Sequence, residues 1–269
     1  MSQKGGTGKT TTVRTLTDVF ERVGLSVLAV DLDPQGNLSD YFDVPADADP
    51  TVADVLAGQT KALDAIHTAG ERPANGAAPR LDVLPANLAL AESELILGGK
   101  MGREMTLRRA LREAGRRYDA IVIDCPPSLG LLTINALVAA DYALISSAAE
   151  YFSLQGVEQA LEVVELAKDS LHPDLVWLGV VLNIADLRTV HAREAQVQLR
   201  ESFGDRVFDT LIRRSVAYAE SAERGVSIVD YRADLGADYL NLAKEVLARI
   251  GWRAESRRVT DLETELASA

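Results

Sequence analysis

Two hydrophobic periodicities take turns along the chain. Short apolar runs closed by polar or charged residues read as buried strands: "LSVLAVDLD", "RLDVLPA", "YDAIVIDCPP", "DYALISS" and "LVWLGVVLN", with "DRVFDTLI" as an edge strand. Between them, apolar positions recur every three or four residues and predict helices over 9–23, 87–97, 104–116, 130–139, 154–169, 190–203 and 236–250. In "TLRRALREAGRR", Leu107, Ala110, Leu111 and Ala114 share one helical face and the arginines lie opposite. Strands alternating with amphipathic helices predict an α/β fold: a doubly wound, mainly parallel sheet with helices on both faces. "AGERPANGAAP" is a Gly-, Pro- and Ala-rich loop. Residues 1–252 are expected to form a single domain, and 253–269, where apolar periodicity fades, a polar and frayed tail. There is no internal repeat, no low-complexity tract and no second core.

Composition then narrows the class. The chain has 269 residues, 47% hydrophobic and 25% charged, which is ordinary for a soluble globular protein with a sizeable core. No apolar run reaches the roughly 18 residues that span a bilayer, and glycine and threonine stand where a signal peptide has its apolar region. A cytoplasmic location is expected. The single Cys125 excludes an internal disulfide or a Cys-rich metal site within one chain. His67, His172 and His191 are scattered without metal-ligand spacing. A net charge of -12 and a pI near 4.8 argue against a protein wrapped in nucleic acid, but leave room for a local cationic patch.

The chemistry is concentrated at the start, in "MSQKGGTGKTTT". Backbone N–H groups of Gly5, Gly6, Thr7 and Gly8 can converge on a phosphate only where positive φ is tolerated and no Cβ intrudes, which explains the glycines. Lys9 follows as a cation for the β- and γ-phosphates, Thr10 offers a hydroxyl to Mg²⁺, and Thr11 continues into a helix whose N-terminal dipole favours an anion. Gln3 stands where the strict G-x-x-x-x-G-K-[ST] pattern has its first glycine, so the loop reads Lys-Gly-Gly-x-Gly-Lys-Thr. A chance match to its six fixed residues is on the order of 10⁻⁷ per position.

"KGGTGKTTT", "VDLDPQGNLS" and "YDAIVIDCPPSLG", in this order, resemble the deviant Walker A ATPases of the ParA/Soj/MinD group of P-loop NTPases. "DPQGN" and "EYFSLQGVEQ" point to the ParA/Soj partition branch. The resemblance covers residues 1 to about 250 and implies ATP and Mg²⁺ as ligands. It also implies a homodimer formed on ATP binding, non-specific binding of double-stranded DNA by that dimer, and slow hydrolysis stimulated by a ParB-like, DNA-bound partner. Lys4 matches the group's additional lysine, which reaches the nucleotide held by the other subunit and neutralises phosphate charge during transfer. Asp33 matches the aspartate that positions the attacking water; Asp31, one alternation back, is expected to support the Mg²⁺ shell. Asp124, ending the apolar run "AIVI", matches the Walker B carboxylate and needs a partner such as the metal if buried. Asn183 matches a position that hydrogen-bonds adenine, although a strand-end asparagine capping a turn is an alternative. Cys125 reads as a small core residue.

Three departures accompany the resemblance. The group places an apolar strand in mid-sheet before the loop, whereas Met1 and Ser2 alone stand there here. Burying about five apolar side chains is worth on the order of 8–15 kcal/mol, comparable to the stability of a whole domain. The expectation is therefore a natural start upstream or a truncated chain, with weak stability and a misaligned loop if Met1 is the start. Arg213 stands where the group has a proline beside adenine, and Ala217 where it has a DNA-contacting arginine. Residues 186–232 carry eight arginines against eight acidic residues, leaving Arg188, Arg193 and Arg224 as DNA-binding candidates. Residues 100–117, with seven basic and two acidic side chains, read as a solvated helix face or a second patch.

Other functions fit less well. A membrane switch needs a basic, strongly apolar terminal helix, and "VTDLETELASA" is acidic and polar. A cluster-bridged redox protein of the nitrogenase-iron-protein type needs at least two cysteines per chain. No additional His/Lys constellation marks a second substrate for a ligase or kinase, and specific operator recognition by an N-terminal helix-turn-helix is not expected. The alternative that stays open is a non-catalytic or differently targeted ATP-dependent regulator of the same group. The leading expectation is a nucleoid-associated partition ATPase.

Overall fold

The computed structural model describes residues 1–2, 5–69, 79–150, 153–186 and 188–268. Along the chain run α1 (Lys9–Arg22), β1 (Val27–Asp31), α2 (Asn37–Tyr41), α3 (Val52–Ala57), β2 (His67–Thr68), β3 (Leu81–Leu84), α4 (Ala89–Gly98), α5 (Thr106–Ala110) and β4 (Ala120–Asp124). Then come α6 (Leu131–Ala139), β5 (Tyr142–Ala148), α7 (Ser153–Ser170), β6 (Val176–Ala185), α8 (Val190–Phe203), β7 (Val207–Arg213), α9 (Ala217–Glu223), α10 (Ile228–Tyr231), α11 (Ala233–Arg249) and α12 (Arg253–Ser268). Apart from residue 69, and residue 79, the loop expected at 69–79 lies outside the described residues.

Parallel pairing dominates. One sheet has the order β2-β3-β1-β4, with β2 alone antiparallel, and a second has the order β5-β6-β7, with β7 at the expected edge. All five residues of β1 are buried because helices cover both faces. Val27 packs with α1 and α11 on one face, while Leu28 and Val30 pack with α3 and α6 on the other. The α/β fold with a mainly parallel sheet is therefore observed, but in two pieces among the described residues. Between β4 and β5 lies a cavity of about 650 Å³.

Two glycines are fixed by close approach. A Cβ on Gly179, at φ +138°, would lie 1.9 Å from the carbonyl oxygen of Arg206, where β6 meets the turn into β7. A Cβ on Gly236 would lie 2.7 Å from Cα of Val229, where α10 crosses α11.

The predicted helix over 104–116 is broken. A 3₁₀ turn at Arg103–Met105, α5 and another 3₁₀ turn at Ala114–Arg116 replace it. Its apolar face is only Leu107, Leu111 and Ala114, and the chain must then turn through Tyr118 into β4. Helices α2, α3, α9 and α10 have four to seven residues, too short to show periodicity. Local caps mark two of them: a Thr51/Asp54 capping box and the Ser227 hydroxyl.

The tail is not frayed. Residues 253–268 form α12, which folds back on α11. Val259 is fully buried, Leu262 and Leu266 pack on the same core, Lys244 pairs with Glu263 at 2.8 Å, and Arg258 donates to the Val23 carbonyl at 3.1 Å. Three apolar residues at helical spacing suffice once α11 supplies the partner face; a low mean hydropathy hides them. Val259→Ala should lower unfolding free energy by about 2 kcal/mol in urea melts, whereas exposed Asp261→Ala should change it by less than about 0.5 kcal/mol.

Candidate nucleotide site

The Gly-rich loop opens at the carboxyl ends of the parallel strands, where an open α/β sheet places its ligand groups. Gly6 and Gly8 adopt φ of 73° and 75°, the left-handed region that a glycine enters without strain. Gly8 is the N-cap of α1 and supplies no side-chain cap, so the first-turn N–H groups around Lys9, Thr10 and Thr11 remain directed at the loop. A Cβ on Gly8 would sit 2.8 Å from Nδ2 of Asn183, so the loop has no room for another residue there.

Beneath the loop is a polar floor. The Ser146 hydroxyl donates to the Thr7 carbonyl at 2.7 Å. Asn183 Nδ2 donates to Thr12 Oγ1 at 3.0 Å and to Ser146 Oγ at 3.1 Å, and lies 3.5 Å from the Gly8 carbonyl. Asn183 is 2% exposed. Its amide nitrogen is thus engaged in supporting the loop. The next residue, Ile184, has φ 54°, a left-handed conformation that a β-branched side chain occupies only under strain. That strained point lies where β6 delivers Asn183 under the loop.

Asp124 ends β4 directly opposite Asp31 of β1. The Thr10 hydroxyl donates to Asp124 Oδ2 at 2.6 Å, and Oδ1 is buried without a partner. Burial pushes the Asp124 carboxyl up to about 7, and the nearby Asp31 charge adds to this, while the Thr10 hydrogen bond opposes it. Lys9 is buried close to Asp124 and Asp33; burial lowers its pKa and those carboxylates raise it. A hydroxyl, an orphaned buried carboxylate oxygen and an ammonium fit a Mg²⁺–phosphate pair. No group of three or more His, Cys, Asp or Glu gathers around a metal position among the described residues. A cation bound by Thr10 and Asp124 would complete its shell with water and phosphate oxygens, the habit of Mg²⁺.

Asp31 is fully buried and accepts three hydrogen bonds. Its Oδ1 accepts from the Asp33 N–H at 3.0 Å, and its Oδ2 accepts from the Ser39 N–H at 3.0 Å and the Ser39 hydroxyl at 2.8 Å. It fastens the turn that carries Asp33. Asp33 is 8% exposed, and its Oδ1 accepts from the Gln35 N–H at 3.0 Å. Lys4 lies outside the described residues. Cys125 is buried and burial pushes its thiol up to about 11, in keeping with a core role.

The three arginine candidates follow the carboxyl ends of β6 and β7, the same end of the sheet as the loop. Arg188 is held by Asp186 through two bonds of 2.8 Å, with its side chain 90% exposed. Arg193 is exposed on α8, and Arg224 stacks over Tyr231 with its guanidinium 5.2 Å from the ring centre. Arg213 pairs with Asp238 at 2.9 Å and also donates to the Asp234 carbonyl; Ala217 is buried. Sequence reasoning missed Ser146, Ser39 and Thr12. The first two had a usable signal: a hydroxyl near the end of an apolar run, and one just after "DPQGN".

The comparisons agree with this geometry. The family described as AAA domain matches residues 1–177. The sporulation initiation inhibitor protein Soj of Bacillus subtilis is 40% identical over 250 residues, covering 92% of this chain and 96% of that protein. The chromosome partitioning protein ParA of Caulobacter vibrioides is 37% identical, covering 92% of each. Among solved structures, cobyrinic acid a,c-diamide synthase of Mycobacterium smegmatis with bound ADP and magnesium aligns with a TM-score of 0.73 at 34% identity, covering 83% of this chain and 90% of that one. The septum site-determining protein MinD of Pyrococcus horikoshii, complexed with Mg-ADP, aligns with a TM-score of 0.74 at 26% identity, covering 94% and 96%. The chain belongs to the AAA domain family of P-loop ATPases, on its ParA/Soj side. No helix among the described residues is long and apolar enough to cross a membrane.

Two predictions follow from the buried carboxylate and the crowded loop. Because the folded-state pKa of Asp124 is raised from 3.8 to about 7, the folded state binds the extra proton between those values. Its contribution therefore falls as pH rises through that window. Without metal or nucleotide, the melting temperature should drop between pH 5 and pH 8, and Asp124→Asn should remove on the order of 5–10 °C of that drop. In nucleotide titrations, Gly8→Ala should weaken affinity by ~100-fold or more, since positive φ and the Asn183 contact both resist a Cβ.

Proposed function

We propose that the chain is an ATP-dependent switch for chromosome or plasmid partitioning. The observation that carries this reading is the Thr10–Asp124 pair beside the Gly-rich loop, with one buried carboxylate oxygen left for a cation. The support for partitioning, as distinct from other uses of such a site, is the similarity to Soj and ParA over more than nine-tenths of the chain.

ATP lies with its phosphates in the loop, against the N–H groups of Gly6–Thr11, and Lys9 neutralises the β- and γ-oxygens. Thr10 and Asp124 are the residues that would hold Mg²⁺, which would supply further charge neutralisation on the phosphates. Asp33, fixed by the Asp31–Ser39 turn, orients water toward the γ-phosphate. Lys4 reaches the triphosphate of a second copy, so nucleotide favours a homodimer. Few groups activate the water in this arrangement, which accords with slow hydrolysis and stimulation by a ParB-like protein.

The dimer in the ATP state binds double-stranded DNA without sequence preference and associates with the nucleoid. Arg188, Arg193 and Arg224 of two copies form the contact surface. For Arg188, binding means exchanging the Asp186 carboxylate for a phosphate.

An electrophoretic shift on arbitrary duplex DNA, with and without ATP and Mg²⁺, tests the switch. Wild type should bind only with ATP, and Lys4→Ala should bind ~10-fold or more weakly, because nucleotide shifts the dimer only through differential contacts. Raising salt should weaken the shift steeply. Binding indifferent to nucleotide would favour an ATP-dependent regulator with another target.

A further inference from the structure

Arg14 stands on α1, one helical turn beyond Thr10, and is 3% exposed. A guanidinium taken out of water normally brings a carboxylate with it. No ion pair to Arg14 forms among the described residues. Asp18, the next carboxylate along α1, is engaged by Arg22 and by the Ser227 hydroxyl. The Arg14 Nε is buried without a partner. Stability alone favours an apolar side chain of similar volume at such a place.

Its contacts instead join two short helices. The guanidinium stacks on the Tyr41 ring, 4.2 Å from its centre, at the last residue of α2. Its Nη2 donates to the Tyr218 carbonyl at 3.1 Å and to Ser221 Oγ at 2.6 Å, both on α9. With five and seven residues, α2 and α9 depend on what they are fastened to, since helices below about 12 residues are marginal alone. On the α2 side, Ser39 is bonded to Asp31, whose other oxygen holds the Asp33 N–H. On the other side, α9 buries only Ala217 and Ser221, and Arg224 caps its carboxyl end. Contacts therefore run without a break from the Asp33 turn, through Tyr41 and Arg14, to the helix that ends at Arg224.

We propose that Arg14 is a positioning residue that ties α9 to the turn carrying Asp33, so that ordering of that turn by nucleotide also orders α9 and Arg224. This rests on the nucleotide-switch reading above. The 14-residue α1 is packed on the core and serves as a fixed post. The responding elements are α2 and α9, because segments with few buried apolar contacts open most readily. When α2 settles, Tyr41 fixes the plane of the guanidinium, and its two bonds hold α9 in register. The link is reciprocal: whatever fixes α9 favours the closed turn around Asp33.

Amide hydrogen exchange with and without ATP and Mg²⁺, on the wild type, Arg14→Met and Tyr41→Leu, tests this. In the wild type, nucleotide should slow exchange over residues 5–12 and, by ~5-fold or more, over residues 217–224. Tyr41→Leu leaves both bonds from Arg14 to α9 in place. Its exchange over 217–224 without ATP should therefore match the wild type within about twofold, while the nucleotide-linked slowing there should vanish. Arg14→Met should exchange faster over 217–224, equally with and without ATP. A purely structural Arg14 predicts instead that Tyr41→Leu keeps the nucleotide-linked slowing over 217–224, and that result would overturn the proposal. So would a wild type whose loop responds to ATP while 217–224 does not. No response over residues 5–12 would overturn the nucleotide reading itself, and this coupling with it.

Discussion

A carboxylate buried at a strand end, with a hydroxyl on one oxygen and nothing on the other, is the constraint around which this chain is organised. Leaving Asp124 ionised there is costly unless something positive arrives. Lys9 is close but itself resists burial, and the Thr10 bond only partly offsets the desolvation. The arrangement is therefore unfavourable when empty and favourable when a cation and phosphates enter together. Such a site stores part of its binding energy in the fold.

The loop above it is held by strands of both sheets. Thr10 contacts Asp124 on β4, the Thr7 carbonyl accepts from Ser146 on β5, and Asn183 on β6 reaches Thr12. Phosphate binding and the seam between the sheets are consequently one mechanical problem. The strained backbone at Ile184 lies at the same place. Whatever tightens the seam also sets the spacing between the Gly8 backbone and Asp124.

Most of the fold was legible because its strands are apolar throughout and its long helices repeat their apolar positions. The loop residues Gly5–Thr11 and Asp124 were legible because phosphate chemistry leaves few residue types that work. Three features were not. The direction of Asn183 depends on strand register and on a left-handed residue after it, which no local pattern encodes. The hold of Asp31 on Ser39 appears only in the fold, where the turn after Asp33 brings the two together. The helix α12 has a polar composition and gains its stability from α11, a partner that periodicity within the segment cannot reveal.

The central claim is that the loop, Thr10 and Asp124 form one Mg²⁺-dependent triphosphate site. Calorimetric titration of ATP into the wild-type chain, with Mg²⁺ and then with excess chelator, tests it most directly. The account predicts one ATP per chain with Mg²⁺ and affinity weaker by ~10-fold or more without it. Equal affinity in both conditions, or no binding in either, would contradict it.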